Sequence, residues 1–304
     1  MPVNRIGMAA NRGNRPSTEQ MEKPAQTVLT SRNWKVTLAY DGTDFFGWQV
    51  QPGKPTIQGE LQAALERITG ESPLPQGSGR TDAGVHALAQ VASFALHAPI
   101  PAENLQRALN RTLPSSIRIS EVKAVHSTFH ARHSARAKTY EYRVLPAGEC
   151  PPFLARYLYP CRWTLNHDAL QVVAQVVVGE HDFRSFAARD PDLAVRGSAG
   201  PDEEQPGRLA STVRSIYASD WERRACAAGE LWVYRVRGNG FLHHMVRNLV
   251  GTMLDVGRGF LKVGDLARIL AARSRAEAGP TAPARGLFLH SVEYDPMDEL
   301  PFVE

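Results

Sequence analysis

Cysteine and long apolar runs are both scarce in this sequence of 304 residues. Its three cysteines, Cys150, Cys161 and Cys226, lie far apart and form no Cys-x-x-Cys pair, the spacing that zinc sites and redox centres use. No stretch approaches the ~18 consecutive apolar residues that cross a bilayer. The start of the chain also lacks the apolar segment of a secretory signal. We therefore expect a cytoplasmic protein with no membrane association, whose thiols are buried or idle.

Acidic residues are absent from His126 to Lys138, a stretch that holds three arginine or lysine residues and three histidines. The wider segment from Arg80 to Arg143 has nine Lys or Arg against four Asp or Glu, whereas the whole chain carries a formal charge of +4. Such a local excess suits the phosphate backbone of a nucleic acid. An ordinary solvated basic face has the same composition, so charge alone leaves both interpretations open.

Two stretches lack the apolar periodicity of folded elements. Residues 1–32 are polar and rich in Asn, Arg, Thr and Pro, which predicts a disordered tail. Residues 189–210 are dense in Pro, Gly and acids, which predicts a surface insertion. The rest of the chain divides into an N-terminal half, 33–137, and a C-terminal half, 138–304.

The same order of elements recurs in the two halves. The predicted elements are strand 34–40, helix 56–70, a short strand before residue 77, strand 88–96, helix 102–112 and strand 117–125, then strand 138–145, helix 167–178, strands 212–219 and 231–237, helix 241–256 and strand 287–294. Each half is β-α-β-β-α-β, provided that Asp82 lies on the loop between the second and third strands. We predict an α+β fold in which two ferredoxin-like halves share a sheet.

Asp82 lies in a glycine-rich segment, Gly77 to Gly84, that does not match a phosphate-binding loop. Asp82 stands where a dinucleotide fingerprint needs its third glycine, and Val85 stands where a nucleotide-triphosphate loop has its lysine. The segment instead offers a carboxylate in a tight turn, with Arg80 two positions away to orient it and keep it ionised. Spacing alone leaves two interpretations, a reactive carboxylate and an ordinary Asx turn.

The nine residues from Gly79 to Ala87, GRTDAGVHA, resemble the catalytic loop of the tRNA pseudouridine synthase A family. The similarity follows the family's order from about residue 33 to 295. Its other motifs are AYDG at 39–42 with FGWQ at 46–49, FHAR at 129–132, KTYEY at 138–142 and FLHHMVRN at 241–248. The resemblance implies the pseudouridine synthase fold, which is a mixed, mainly antiparallel sheet with helices on one side.

The resemblance also implies an activity, the isomerisation of uridine to pseudouridine. This reaction adds no atom and transfers no electron, so the family needs no cofactor, and we expect no metal. Asp82 matches the family's nucleophile. Arg80 matches a residue implicated in flipping the uridine out of its stack. Tyr140 matches an active-site tyrosine that stacks on the base and assists proton removal from C5, and Arg247 matches the charge partner of Asp82.

The partner implied by the resemblance is tRNA. The expected substrate is the anticodon stem-loop, at tRNA positions 38, 39 and 40, gripped by a homodimer across both subunits. Whether Asp82 attacks ribose C1′ or base C6 stays open at this point.

Two other functions compete with this hypothesis. A tRNA-binding or folding protein without catalysis is opposed by the matches at Asp82, Tyr140 and Arg247. A zinc hydrolase rests on His126, His130 and His133, whose spacing would place three imidazoles on one face of a helix. The residues between those histidines are poor helix formers, which disfavours zinc.

Overall fold

A computed structural model describes residues 1–2, 31–146, 149–188, 211–226 and 228–300 of the chain. The residues from Ser31 onward form a compact unit. Most of the predicted tail at 1–32, and all of the predicted insertion at 189–210, lie outside the described residues. Their assignments therefore stay predictions.

The described part holds ten strands and five α-helices. In chain order they are β1 (Arg32–Tyr40), α1 (Ile57–Thr69), β2 (Gln76–Gly77), β3 (His86–Leu96), α2 (Ala102–Thr112), β4 (Ile117–Val125), β5 (Ala135–Pro146), β6 (Tyr159–Cys161), α3 (His167–Val176), β7 (Gly179–Asp182), β8 (Val213–Cys226), β9 (Gly229–Gly238), α4 (Met245–Gly257), α5 (Asp265–Ala272) and β10 (Leu287–Tyr294). None of these helices is long and apolar enough to cross a membrane.

All ten strands belong to one sheet, whose main order is β4-β1-β3-β10-β5-β9-β8-β7. Antiparallel pairs dominate, and β10 runs parallel to β3 but antiparallel to β5. Strand β2 pairs with β3 at Ser93 and Ala92, whereas β10 pairs with the other end of β3, at His86 and Ala87. Because β2 is only two residues long, it does not reach the His86 end of β3. That end is free to pair with β10, which belongs to the second half. Two ferredoxin-like halves sharing one sheet are thereby confirmed.

Helices cover one face of the sheet. Alternate residues of β1, namely Trp34, Val36 and Leu38, are fully buried and pack in the same core as Leu61 and Leu65 of α1. Burying each of the aliphatic side chains in this set, Val36, Leu38, Leu61 and Leu65, contributes about 1.5–3 kcal/mol relative to exposure. The period-2 pattern of the strands and the 3.6-residue pattern of the helices therefore meet in a common apolar layer.

The boundaries of helix α1 follow from residues visible in the sequence. The Thr56 hydroxyl accepts a hydrogen bond from the Gly59 amide at the start of the helix. Gly70 ends it with φ at 75°, and its amide donates to the Glu66 carbonyl. The predicted helix at 56–70 is confirmed because both caps are local signals.

The predicted start of the helix at 241–256 is wrong. Helix α4 begins at Met245, because His244 has φ at 59° and ψ at 2°, the left-handed conformation that interrupts a right-handed helix. Phe241 therefore does not lie on the helix that carries Arg247. Arg247 falls in the first turn of α4, next to the site described below.

The opposite face of the C-terminal half carries a buried carboxylate. Glu141 on β5 is only 1% exposed and forms ion pairs with three arginines, at 2.7 Å to Arg143 and 3.1 Å each to Arg224 and Arg235. Burial by itself raises the pKa of Glu141, but the three guanidiniums outweigh burial and hold that pKa below its usual value. These ion pairs hold strands β5, β8 and β9 together on the face of the sheet away from the helices.

Candidate active site

Asp82 lies on the loop between β2 and β3, at the point where β10 joins the two halves of the sheet. Its carbonyl accepts a hydrogen bond from the Val85 amide at 3.1 Å, which closes a tight turn. The carboxylate is 17% exposed, so it is accessible to a substrate and yet sheltered from bulk water. The loop thus presents its carboxylate in the middle of the molecule.

The segment 42–48 packs against the backbone of this loop. The Trp48 amide donates to the Thr81 carbonyl at 3.0 Å, and the Gly84 amide donates to the Phe45 carbonyl at 3.3 Å. A side chain at Gly47, which has φ at 88°, would lie 2.6 Å from the Thr81 carbonyl. This close packing explains why two sequence motifs far apart in the chain, FGWQ and GRTDAGVHA, occur together.

Buried polar groups hold the loop from below. The hydroxyls of Tyr40 and Thr81 lie 2.8 Å apart in a hydrogen bond, and the Gln90 amide donates to the Gly79 carbonyl at 2.9 Å. Gln90 also accepts from the Ser78 hydroxyl at 2.7 Å. Because buried polar groups are costly to leave unpaired, such a network fixes one conformation of the backbone around Asp82.

Arg247 forms an ion pair with Asp82. Its Nη1 lies 2.9 Å from Asp82 Oδ2, while its Nε donates to the Ala282 carbonyl at 2.8 Å. The Ala282 amide donates in return to the Arg247 carbonyl at 3.0 Å. The guanidinium is therefore fixed on both sides, and its charge-assisted hydrogen bond fixes the direction of the carboxylate.

Two histidines that the sequence analysis left without a role flank the same carboxylate. His243 Nε2 lies 3.5 Å from Asp82 Oδ1, and His244 Nε2 lies 3.4 Å from Asp82 Oδ2. The two rings lie 4.0 Å apart. Both precede the first turn of α4, which carries Arg247, and the left-handed backbone at His244 lies between them and the helix.

Tyr140 on β5 is buried, and its ring meets that of Phe241 edge to face at a centroid distance of 5.0 Å. Burial raises its pKa far above the usual value for tyrosine, and the nearby Tyr40 and the Asp82 charge raise it further. The phenol stays protonated at all ordinary pH values.

Arg80 is exposed beside the loop, and its Nε donates to Gln49 Oε1 at 3.2 Å. Gln49 ends the FGWQ motif, so the guanidinium is tied to the segment that supports the Asp82 loop. A long cationic side chain at the rim of a site is well placed to meet nucleic acid.

Lys138 supports the loop from the neighbouring strand β5. Its Nζ donates to the Ser78 carbonyl at 2.5 Å. Burial, together with the charges of Arg132 and Arg214, lowers the pKa of Lys138 to about 8. The basic stretch noted in the sequence therefore contributes cationic groups close to the Asp82 loop.

Metal-binding geometry among the described residues is limited to Asp82, His243 and His244, whose potential ligand atoms lie within 4.8 Å of one another. The Arg247 guanidinium on the same carboxylate opposes a second cation there. The histidines at 126, 130 and 133 lie in the irregular segment between β4 and β5, not on a helix. Their spacing therefore does not place them on one helical face, and the basis for a zinc hydrolase is removed.

Comparison with known proteins agrees with this fold. A family model described as tRNA pseudouridine synthase matches residues 37–134 and 173–295. A tRNA pseudouridine synthase A of Solibacter usitatus (strain Ellin6076) is 48% identical over 263 residues, covering 86% of this chain and all of the relative. The enzymes of the same name from Moorella thermoacetica and Brevibacillus brevis are 44% and 43% identical, and each match covers 86% of this chain and 98% of the relative.

A sheet of two ferredoxin-like halves, with an aspartate loop at their junction, defines the class of protein. This chain belongs to the tRNA pseudouridine synthase family.

Proposed function

We propose that this protein converts uridine to pseudouridine in tRNA. The observation that carries the proposal is the Asp82 carboxylate, paired with Arg247 at 2.9 Å beside the buried ring of Tyr140. A fixed, ionised carboxylate next to an aromatic surface suits nucleophilic attack during glycosyl transfer. The family membership of the chain supports the same activity.

The reaction breaks the bond between uracil N1 and ribose C1′ and forms a bond between C5 and C1′. Asp82 is the proposed nucleophile, and it is released when the new bond forms. Hydrolytic glycosidases use a second carboxylate to activate water. The polar partners nearest to Asp82 are instead cationic or neutral, which suits an isomerisation that excludes water.

The target uridine must leave its stack before Asp82 can reach it. We assign Arg80 to that step, because it is exposed at the rim of the loop and can enter the space that the base leaves. Tyr140 is the surface on which the extruded uracil stacks. Arg247 keeps the Asp82 carboxylate oriented throughout.

The proposed substrate is the anticodon stem-loop, with uridines at tRNA positions 38, 39 and 40, and the proposed active form is a cytoplasmic homodimer. The cations around the Asp82 loop, Arg80, Lys138, Arg132 and Arg214, support an anionic partner. Their positive charge favours the phosphate backbone around the flipped nucleotide.

Tritium release from C5-labelled uridine in tRNA transcripts tests the proposal. The wild type should release tritium, and Asp82→Asn should not, because an amide is a poor nucleophile at this position. Asp168→Asn makes the same change on the exposed first turn of α3 and should release tritium at the wild-type rate.

Binding of tRNA without tritium release by the wild type would contradict the enzyme and favour a tRNA-binding protein. A chelator should leave the rate unchanged, and a loss of activity that metal restores would contradict the metal-free mechanism.

A further inference from the structure

Pseudouridine formation, if the proposed function holds, requires one proton to leave C5 and one proton to be added at N1. Once C5 has bonded to C1′, the C5–H bond must break, and its electron pair restores the C5–C6 double bond. N1 then takes up a proton, so that the reaction is balanced without any external reagent. A base close to Asp82 must accept the C5 proton, because C5 is now attached to the sugar carbon beside that carboxylate.

Tyr140 does not meet this requirement unaided. Burial, Tyr40 and the Asp82 charge together hold its pKa far above neutrality, so its hydroxyl already carries a proton. A protonated phenol can donate a hydrogen bond or relay a proton, but it accepts one only after losing its own. Asp82 leaves C1′ when that bond forms, and its Oδ2 is then bound by the Arg247 guanidinium at 2.9 Å.

His244 lies where such a base is needed. Its Nε2 is 3.4 Å from Asp82 Oδ2, and its ring packs on that of His243 at 4.0 Å. An imidazole at this distance from the nucleophile can reach a base attached to the same sugar. It is also the side-chain type that most often transfers protons near neutral pH.

The backbone at His244 gives independent evidence that the side chain is used. His244 has φ at 59°, a left-handed conformation in which a non-glycine residue is disfavoured by about 1 kcal/mol or more. Glycine would enter helix α4 there without strain, and the His244 side chain makes no capping hydrogen bond to the helix. Strained non-glycine residues of this kind concentrate at functional sites.

The charges around His244 favour its neutral form. Burial lowers its pKa, and His243, Arg247 and Arg275 lower it further, whereas the Asp82 charge acts in the opposite direction. At neutral pH the imidazole is therefore free to accept a proton. The same arginines would encourage the resulting imidazolium to release that proton again.

We propose that His244 is the base that accepts the C5 proton after the C5–C1′ bond has formed, and that this proton, or one exchanged with water, then reaches N1. His243, on the other oxygen of Asp82, orients the carboxylate rather than handling the proton.

Two substitutions separate the imidazole from the backbone strain. His244→Asn keeps a residue type that tolerates the left-handed conformation, and His244→Gly removes the strain entirely. Both should fold at least as well as the wild type and bind tRNA with unchanged affinity, while tritium release slows by roughly 10²–10⁴-fold. A deuterium atom at C5 should then produce a primary isotope effect that is larger than in the wild type.

Added imidazole provides the sharpest readout. It should restore tritium release to His244→Gly, and the rescued rate should rise with the fraction of imidazole in its neutral form. The wild-type rate should fall only when the pH drops below the usual value for imidazole. His97→Asn, the same substitution at an exposed histidine on the first half, should behave as the wild type.

Wild-type rates in both His244 variants would overturn the proposal. A slow variant that shows neither imidazole rescue nor an enlarged isotope effect would also overturn it, since it would show that His244 only positions Asp82. A wild type that never releases tritium would instead contradict the proposed function, and the role of His244 with it.

Discussion

The guanidinium of Arg247 joins the Asp82 loop to the segment that precedes β10. It binds the Asp82 carboxylate through Nη1 and the Ala282 carbonyl through Nε. Arginine can donate from two fixed nitrogens in this way. Lysine cannot, because its charge sits at a single nitrogen. The identity of this residue, and not its charge alone, sets the direction of the carboxylate.

Arg247→Lys should therefore lower kcat while leaving tRNA affinity nearly unchanged. Loss of one charge-assisted hydrogen bond, worth about 1.5–3 kcal/mol, corresponds to a fall of roughly 10–100-fold. Single-turnover rates and tRNA binding, measured on the same preparations, check this. Arg268→Lys, at an exposed ion pair on α5, is the matched control. A variant with normal turnover and weak tRNA binding would show that Arg247 contacts RNA instead.

The sequence was sufficient to nominate Asp82, Tyr140, Arg80 and Arg247, because a long contiguous motif and its ordered companions are specific. It did not reveal His243 and His244. The segment 241–256 has helical periodicity throughout, so nothing in the pattern marks the left-handed break at His244. That break directs both imidazoles toward Asp82, and it depends on contacts far away in the sequence.

Three glycines allow the elements around Asp82 to approach closely. A side chain at Gly42 would meet the Val85 carbonyl at 1.9 Å, and one at Gly77 would meet the Trp48 ring at 2.6 Å. On helix α4, a side chain at Gly251 would meet the Pro280 carbonyl at 1.7 Å. The last contact seats α4 against the segment that contains Ala282, the partner of Arg247.

Gly42→Ala should displace the Asp82 loop. The added methyl group has only backbone in its way, so we expect the free energy of unfolding to fall by about 1–3 kcal/mol. Turnover should fall as well, because the loop carries Asp82, the proposed nucleophile. Urea unfolding and tritium release measure the two effects.

Gly264→Ala is the matched control, since a side chain there meets nothing within 4 Å. It should change stability by less than about 0.5 kcal/mol. Equal stability of the two variants would contradict the packing described for Gly42.

Glu141 and its three arginines make an element-scale prediction about acid stability. The pKa of Glu141 is lowered in the fold, so the unfolded chain binds more protons as the solution becomes acidic. The contribution of Glu141 is complete above its unfolded pKa and is lost as pH falls through the lower folded value. Glu141→Gln should therefore destabilise the fold at neutral pH, by about 1–3 kcal/mol, and flatten its pH dependence below about pH 4.5.

Chemical denaturation of Glu141→Gln at several pH values measures this effect. Glu121→Gln, at an exposed pair with Lys123 on β4, should leave the profile unchanged. A Glu141→Gln profile parallel to that of the wild type would show that the buried carboxylate does not govern acid stability.

At the scale of the whole molecule, the last strand of the sheet joins the two halves. Strand β10 lies between β3 and β5, so residues near the end of the chain pair with strands from both halves. The Asp82 loop begins where β2 stops and β10 takes its place beside β3. The site therefore forms only when both halves and the final strand are in position.

The fold was predictable from the sequence because its repeated β-α-β-β-α-β order has strong local signals. Helix caps and alternating apolar residues located most elements. The sequence pattern does not predict the short strands β6 and β7 or the short helix α5. A strand of a few residues, or a helix of two or three turns, carries too little periodicity to be recognised. Strand β8 also extends to Cys226, beyond the predicted end at 219, because charged residues on its open face mask the alternation.

We propose that Asp82 drives uridine isomerisation in the tRNA anticodon stem-loop. Mapping pseudouridine by carbodiimide modification and reverse transcription, on a tRNA transcript with uridines at positions 38, 39 and 40, tests it most directly. The account predicts new stops at those positions with the wild type and none with Asp82→Asn, although both proteins bind the transcript. Stops produced equally by Asp82→Asn, or none produced by a wild type that binds the transcript, would contradict it.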